Sequence, residues 1–411
     1  MLPGDFWLAV AHNMRTRSLL HPILSLERLL LIAVACLLVL FTQAQILDED
    51  ALRKVALEAH EGAITCLEAM PDGHTIVAGC GDNGGLLFID TVGWRITRRL
   101  PLNGFTDGPR IRASRDGRLL LLKELWRFAT GGNGDMQGTH MVIDAGSGTT
   151  VVDAGKAMDA SMSADGTMLA VLDGDKVTLH RLPGGEVLRT ITVSKATNAV
   201  ALTPDGAMVA VSHRPTEEQL ATVPSMRADR KALKAGLKFQ QMISFYHTAS
   251  GALQRTVPEV YDVIRGMGFS PDGTRLLVYS TQDPRAGAAP AAGGNAWNFN
   301  MAARPGYVQQ IDPRTGEPLR TGFQSMMNEP FLAVDPSGRT LALSSTEGRN
   351  KRKLTLYDIE SGDTRTMIDL EQKHRYDTGE TEQHDGRLAY TWLADGRVLI
   401  ALGGDLGIHT P

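Results

Sequence analysis

The residues that could do chemistry are scattered along this sequence and form no recognised catalytic pattern. The sequence has no G-x-S-x-G elbow of a serine hydrolase, no H-E-x-x-H metal-binding helix and no G-x-x-x-x-G-K-[ST] phosphate loop. Its eleven histidines have no metal-ligand spacing, and the run GGNGDMQG at 131–138 is one imperfect copy of a calcium-binding repeat. These patterns therefore predict no catalytic residue, no metal and no cofactor.

The three cysteines, Cys36, Cys66 and Cys80, exclude a disulfide-rich scaffold and have no zinc-ligand spacing. Cys66 and Cys80 fall on two predicted strands that one turn connects. A disulfide between them would fit an exported domain, whereas two small buried residues would fit any compartment. The second interpretation is favoured, because cysteine is among the most frequently buried residue types.

Whether any of these side chains converge depends on the elements that position them, and those elements repeat. The stretch FSPDGTRLLVY, Phe269 to Tyr279, combines a Pro-Asp-Gly turn with an apolar run of strand length. Six variants of this phrase occur elsewhere, such as TPDGAMVAVS from Thr203 and LADGRVLIAL from Leu393. The turn glycine recurs at intervals of 40 to 67 residues, at Gly73, Gly117, Gly166, Gly206, Gly273, Gly338 and Gly396.

Each phrase lies within a set of four predicted strands joined by hairpin turns, which is the pattern of one β-propeller blade. The sequence therefore predicts an all-β fold over 48–411: a seven-bladed propeller of four-stranded antiparallel blades. The seventh repeat stops at its third strand, LGIHTP. The segment LRKVALE, Leu52–Glu58, has no other partner and is predicted to close the last blade, because an open sheet edge promotes aggregation.

The first full blade reads LEAHEGAITCLEAMPDGHTIVAGCGDNGGLLFID and resembles a WD repeat. His60 stands where the family histidine precedes the first strand, and Asp82 stands at the turn aspartate after the second strand. The resemblance implies that these two side chains share a structural hydrogen-bond network. Ile89 occupies the family's tryptophan position and no Trp-Asp dipeptide occurs, so the chain is most similar to a bacterial, WD-repeat-like propeller.

The N-terminal region carries an export pattern. An apolar run, LLLIAVACLLVLF at 29–41, follows a basic segment, 1–28, that contains Arg15, Arg17 and Arg28. This arrangement predicts that the rest of the chain lies outside the cytoplasm, in the periplasm or at the cell surface.

Two forms of this N-terminal region remain open. Residues 29–47 are either a signal peptide, cleaved so that the mature chain starts at Gln45, or a retained transmembrane anchor. The translation start is likewise open between Met1 and Met14. The remaining residues, 48–411, form the predicted propeller in every case.

Four insertions separate the second and third predicted strands of blades two, four, five and six, at 124–138, 214–240, 282–305 and 346–353. In a four-stranded meander these connections emerge on one face of the disc, which we call the insertion face. Insertions on one face often mark the binding surface of a repeat protein. The insertion face is therefore the predicted binding surface.

The insertions contain basic and aromatic residues. A short helix is predicted over 226–238, with five basic residues and one acidic residue. The candidate binding residues are Trp126, Arg127, Arg227, Arg230, Lys231, Lys234, Trp297, Arg349, Lys351 and Arg352. They predict a surface for an acidic protein partner, and the competing interpretation is a solvated helix with tryptophans that hold loops to the disc.

The composition excludes some partner classes. The chain has 411 residues, a net charge of −4 and a pI near 6.3, so no basic excess indicates nucleic acid binding. We expect a non-catalytic protein–protein interaction scaffold. The alternative is a propeller enzyme, such as a lactonase-like hydrolase, a lyase or a quinoprotein-type dehydrogenase. Its candidate residues at the mouth of the central channel are His60, Asp82, His140, His213 and Asp283.

Overall fold

A computed structural model describes residues 44–46, 53–54, 63–81, 84–105, 108–124, 137–227, 229–261, 263–281, 306–325, 332–347, 351–371, 388–402 and 405–410. The chain divides into two compact units, Met1–Gln45 and Ile46–Pro411. Strand β1 (Ala44–Ile46) lies at the boundary between them. The second unit contains seven antiparallel sheets, which are the blades of a propeller.

The blades follow one another along the chain, and each is a meander of short strands. Blade one contains β3 (Ile64–Ala69), β4 (Thr75–Cys80), β5 (Gly85–Asp90) and β6 (Arg95–Leu100). Blade two contains β7 (Pro109–Ala113), β8 (Leu119–Glu124), β9 (Gly138–Asp144) and β10 (Thr150–Ala157). Blade three contains β11 (Asp159–Met162), β12 (Met168–Asp173), β13 (Lys176–Arg181) and β14 (Val187–Thr192). Blade four contains β15 (Ala196–Leu202), β16 (Met208–His213), β17 (Met242–His247) and β18 (Leu253–Thr256). Blade five contains β19 (Val263–Phe269), β20 (Leu276–Thr281), β21 (Gly306–Ile311) and β22 (Pro318–Ser325).

The last two blades complete the ring. Blade six contains β23 (Ala333–Val334), β24 (Thr340–Glu347), β25 (Lys351–Asp358) and β26 (Thr364–Glu371). Blade seven contains β27 (Leu388–Trp392), β28 (Val398–Leu402), β29 (Asp405–His409) and, beside β29, β2 (Arg53–Lys54). The predicted all-β, seven-bladed propeller of four-stranded blades is confirmed.

The repeated phrase forms the turn between the first and second strand of every blade. In blade five, the Asp272 carboxylate accepts hydrogen bonds from the Ser270 hydroxyl at 2.5 Å and the Thr274 amide at 3.1 Å. The seven turn glycines all have φ between +69° and +83°, a left-handed conformation that a β-carbon disfavours. The repeated turn glycine, which follows Asp in six copies and Ser337 in blade six, thus reflects one turn geometry used seven times.

The hydrophobic core lies between neighbouring blades, because each strand presents alternate side chains to the two faces of its sheet. In β4, Ile76 packs with Leu399 of blade seven, whereas Val77 packs with Leu120 of blade two. Cys80 belongs to the first of these cores and Cys66 to the second. Both are buried and neither forms a disulfide, as the favoured interpretation predicted, and burial raises the pKa of Cys66 to about 11.

The last blade makes contact with an N-terminal strand. Arg53 pairs with Leu406 and Lys54 with Asp405, in antiparallel register. These two residues are the part of the predicted closing strand, Leu52–Glu58, that the structure describes, and the other five lie outside the described residues.

The predicted export segment lies largely outside the described residues. Of 29–47, the structure describes 44–46, and these form strand β1. Within the described part of the chain, no helix has the length and apolar character needed to cross a membrane. The cleaved signal and the retained anchor therefore both stay predictions.

Candidate binding face and central channel

The insertion of blade four is a group of three short helices between β16 and β17. They are α1 (Glu217–Ala221), α2 (Pro224–Arg227) and α3 (Arg230–Phe239). The single helix predicted over 226–238 is wrong, because the chain turns extended at Asp229, with φ −125° and ψ 104°. Asp229 is instead the N-cap of α3, and its Oδ1 accepts hydrogen bonds from the amides of Lys231 at 2.7 Å and Ala232 at 3.2 Å.

Local sequence signals explain the first helix, which the sequence analysis missed. Thr216 and Gln219 form a capping box: the Gln219 amide donates to the Thr216 hydroxyl at 3.2 Å, and the Thr216 amide donates to Gln219 Oε1 at 2.9 Å. Glu217 and Glu218 occupy the first turn, where acidic side chains stabilise the positive end of the helix dipole. The motif T-x-x-Q could have identified this helix from the sequence.

The three helices have a small hydrophobic core of their own, which makes them a platform rather than a loose loop. Leu220, Val223, Met226 and Met242 are buried together, and Leu233 and Leu237 of α3 pack against them. Gly236 permits this close approach, since a β-carbon there would lie 3.0 Å from Leu220 Cδ1. We call this group of helices, 217–239, the helical platform.

The basic side chains of the helical platform face solvent. Those of α2 and α3 are Arg227, Arg230, Lys231, Lys234 and Lys238, and all five residues are exposed. Lys231, Lys234 and Lys238 recur at intervals of three and four residues, so they lie along one side of α3. These basic side chains therefore lie on the exposed side of a packed group of helices.

Buried hydrogen bonds next to the platform lie within blade four and between blades four and five. The His213 Nε2 atom lies 2.7 Å from Ser244 Oγ, which lies 2.8 Å from Thr256 Oγ1. Gln241 bridges blades four and five: its amide nitrogen donates to Asn198 Oδ1 at 3.3 Å, and its Oε1 accepts from the Ile264 amide at 3.0 Å. Burial lowers the pKa of His213, so the neutral ring persists in this network.

A second buried polar cluster joins blades two, three and four near the same face. Asp159 forms an ion pair with Lys123, and its carboxylate accepts hydrogen bonds from the amides of Ala160 at 2.9 Å and Val200 at 2.8 Å. His140 lies beside this pair, with Nδ1 2.6 Å from the Gly138 carbonyl oxygen. Desolvation and the Lys123 charge lower the pKa of His140 to about 4. Each polar group thus has a structural partner.

One arginine of blade two contacts residues of blades one and six. Arg112, on the first strand of blade two, donates from Nη2 to the Leu332 carbonyl oxygen, beside the first strand of blade six, at 3.1 Å. Its Nη1 lies 3.8 Å from Glu68 Oε2 of blade one. Glu68 also accepts a hydrogen bond from the Ala113 amide at 2.8 Å. Burial raises the pKa of Glu68, and the Arg112 charge opposes that rise.

Comparison with known proteins agrees with this geometry. A sequence model described as "WD domain, G-beta repeat" matches residues 52–87, which include β2 of blade seven, β3 and β4 of blade one and the start of β5. The chain is a WD-repeat-like β-propeller. No curated protein sequence matches it. Among solved structures, one similar chain is titled "Kuenenia stuttgartiensis Hydrazine Synthase", with 14% identity, a TM-score of 0.56 and coverage of 87% of this chain and 97% of that one. At this identity the likeness shows the fold alone.

Two residues predicted for the binding face of this WD-repeat-like propeller lie in a strand rather than in a loop. Lys351 and Arg352 are the first residues of β25, where they pair with Glu347 and Thr346 of β24. The loop predicted over 346–353 is therefore wrong, because the two strands extend and leave 348–350 between them. Lys353 follows and lies 3.8 Å from Asp369.

The other residues predicted for the binding face or the channel mouth fall into two groups, those that the structure describes and those that lie outside the described residues. Arg227, Arg230, Lys231 and Lys234 come together on the helical platform. His140 lies in blade two and His213 in blade four. The residues outside the described part of the chain are His60, Asp82, Trp126, Arg127, Asp283, Trp297 and Arg349. Within the described ranges, no three His, Cys, Asp or Glu side chains are placed to hold a metal ion.

Proposed function

We propose that this propeller is a non-catalytic scaffold that binds a protein partner through its insertion face. The observation that carries this proposal is the helical platform: a packed, capped group of helices that exposes five basic residues. Its fixed shape lowers the conformational entropy lost on binding, compared with a flexible loop. WD40 propellers generally mediate protein–protein interaction, which is consistent with this assignment.

The partner we propose presents an acidic surface. The exposed charges of α2 and α3 are uniformly positive apart from Asp229, whose carboxylate is engaged in capping. Complementary charge raises association rates and selects one orientation of the partner, and both effects weaken as salt screens the charges. Salt dependence is therefore the property that identifies this mode of binding.

The test is affinity capture from membrane and periplasmic fractions with the full chain and two charge-reversal variants. Arg230→Glu, Lys231→Glu and Lys234→Glu together should weaken capture at least tenfold at low salt and flatten its salt dependence. The matched control is Lys156→Glu, Lys176→Glu and Arg181→Glu, which reverses three exposed charges on blades two and three. Equal capture by the platform variant and the control would remove the platform from the binding surface.

We also propose that the propeller is displayed outside the cytoplasm, either secreted or attached to the membrane through 29–47. What supports this is the apolar run at 29–41 after a basic segment. A reporter enzyme that works only outside the cytoplasm, fused after residue 60, should be active, and an inactive reporter would refute export. N-terminal sequencing then separates a start at Gln45, which means cleavage, from a start at Met1 or Met14, which means an anchor.

Closure of the ring by the N-terminal segment is a further part of the proposal. Pairing of Arg53 with Leu406 and of Lys54 with Asp405 supports a role for Leu52–Glu58 as the fourth strand of blade seven. Such pairing covers the outer edge of β29, which would otherwise present unpaired backbone groups.

The alternative function is a propeller enzyme with a site at the channel mouth. Its support is fold similarity to a chain whose title names a synthase. Turnover of a lactone, sugar or amine substrate by the purified full chain, abolished by His140→Ala or His213→Ala in a protein that remains folded, would replace the scaffold proposal with this one.

A further inference from the structure

The turn between the third and fourth strands of blade one differs from the same turn in blades two to six. The turn between the third and fourth strands contains a glycine with φ between +73° and +79° in blades two to six, at Gly148, Gly185, Gly251, Gly316 and Gly362. In each of these turns the glycine amide donates to the carbonyl oxygen four residues earlier. Blade one has Trp94 at this place, with φ +50°. The chain thus puts a large aromatic side chain where a glycine is conformationally favoured.

The strained backbone of Trp94 is held by packing at the seam between blades one and seven. Its partly buried indole packs against the core that these two blades share, which includes Ile76, Leu399 and Leu393. A strained conformation persists only where the surroundings fix it, and such sites often have a function. The indole therefore needs an explanation beyond the turn itself.

The indole is one wall of a cleft of about 260 Å³ that opens on the face opposite the insertion face. Leu393 and Ile408 of blade seven are apolar parts of the lining, and Asp395 and Arg397 are its charged groups. This volume is below the roughly 300–1,000 Å³ typical of cofactor and drug-sized ligand sites. It suits the entry of one extended side chain.

The chemistry of the lining favours a guanidinium group. An indole attracts cations, especially arginine, and the methylene stem of arginine packs well on aliphatic side chains such as Leu393 and Ile408. Asp395 supplies a carboxylate whose side chain is 51% exposed. The hydrogen bond and charge of Arg397 hold the pKa of Asp395 below its usual range, so this carboxylate stays ionised at neutral pH.

The cleft already holds one guanidinium. Arg397 Nε and Nη2 lie 2.8 Å and 2.7 Å from Asp395 Oδ2, and the Arg397 side chain is 44% exposed. Asp395 therefore binds a guanidinium in this position, and Arg397 competes with any incoming cation. An anionic ligand would instead depend on Arg397. The sign of the effect of removing Arg397 distinguishes these two ligand classes.

We propose that the Trp94–Asp395 cleft binds an arginine side chain of a protein partner. The site lies on the opposite face from the helical platform and does not depend on the scaffold proposal made for that face. Trp94 forms the stacking wall, Leu393 and Ile408 contact the methylene stem, and Asp395 pairs with the guanidinium.

The test uses the full chain and two small probes, N-acetyl-arginine amide and the uncharged isostere N-acetyl-citrulline amide. Arginine amide should change the tryptophan fluorescence at millimolar concentration, whereas citrulline amide should not. Trp94→Gly, which restores the residue found in five other blades, should abolish the response. Asp395→Asn should weaken binding of the arginine probe at least fivefold, as measured by changes in the nuclear magnetic resonance shifts of the probe.

The decisive variant is Arg397→Ala, which removes the competing charge. Binding of the arginine probe should strengthen severalfold. Loss of binding in this variant, an equal response to citrulline, or an unchanged response in folded Trp94→Gly protein would each overturn the proposal. Circular dichroism and the melting temperature confirm that each variant is folded.

Discussion

Arg112 and Leu332 connect two blades that are not neighbours in the ring. The Arg112 guanidinium extends from the first strand of blade two and donates to the Leu332 carbonyl oxygen beside the first strand of blade six, at 3.1 Å. The same guanidinium lies 3.8 Å from Glu68 of blade one. This side chain of blade two thus contacts both blade one and blade six.

Replacement of Arg112 should loosen the centre of the propeller. We expect Arg112→Ala to lower the unfolding free energy by about 1–2 kcal/mol, because it removes a charged hydrogen bond and leaves buried Glu68 without this positive neighbour. Urea unfolding at pH 7 measures the effect. Arg115→Ala, which alters an exposed turn residue of the same blade, is the control, and equal stability of both variants would contradict a bridging role.

The repeated turn glycines should differ in tolerance according to their surroundings. Gly338→Ala introduces a β-carbon at φ +74° into open space, so it should cost about 1 kcal/mol from backbone strain alone. Gly166→Ala has nearly the same φ, +69°, but its β-carbon would lie 2.9 Å from Ser114 Cβ. We expect a loss of about 2–3 kcal/mol there, in the range of overpacked sites. Thermal melts of the two variants provide the comparison. Similar losses of stability would show that Ser114 moves to accommodate the new β-carbon.

The buried histidines should make the propeller sensitive to acid. His140 has a folded pKa of about 4, below its value in the unfolded chain, so unfolding takes up a proton. Stability from this linkage is fully present above pH 6.5 and decreases as pH falls towards 4, by up to about 3 kcal/mol. His213 acts in the same direction, because burial also lowers its pKa.

The corresponding measurement is urea unfolding at pH 7, 6 and 5 for the parent protein and for His140→Asn. The variant should be less stable at pH 7, because asparagine packs differently beside Lys123 and Asp159, but its stability should fall less between pH 7 and 5. An unchanged pH dependence would mean that His140 is not a source of the acid sensitivity.

Deletion of 48–59 should expose the outer edge of the seventh blade. We expect aggregation or a clearly lower melting temperature, because the residues that pair with Asp405 and Leu406 are lost. Deletion of 2–13 serves as a control for shortening of the chain. A truncated protein that stays monomeric with an unchanged melting temperature would show that the ring does not need this strand.

The sequence determined the architecture because the fold repeats a local signal. Each turn phrase and its flanking strand are specified by residues that are neighbours in the chain, and seven variants of the phrase specify seven blades. The burial of Cys66 and Cys80 was predicted differently, from the high frequency with which cysteine is buried, and both lie in apolar cores. By contrast, the break at Asp229 is an N-cap that the helix prediction did not use, and the extension of β25 to Lys351 is shown by its pairing with Glu347 of β24.

The bridge from Arg112, the cluster around Asp159 and the cleft beside Trp94 were decided by the tertiary structure alone. The bridge joins blades two and six and the cleft joins blades one and seven, so both depend on closure of the ring, whereas the cluster joins three consecutive blades. Comparison of the repeats could have identified Trp94, because it stands where five other turns have glycine, but not its neighbours Asp395 and Arg397. Short-range residue patterns determine strands and turns, whereas the meeting of the first blade with the last is a property of the closed ring.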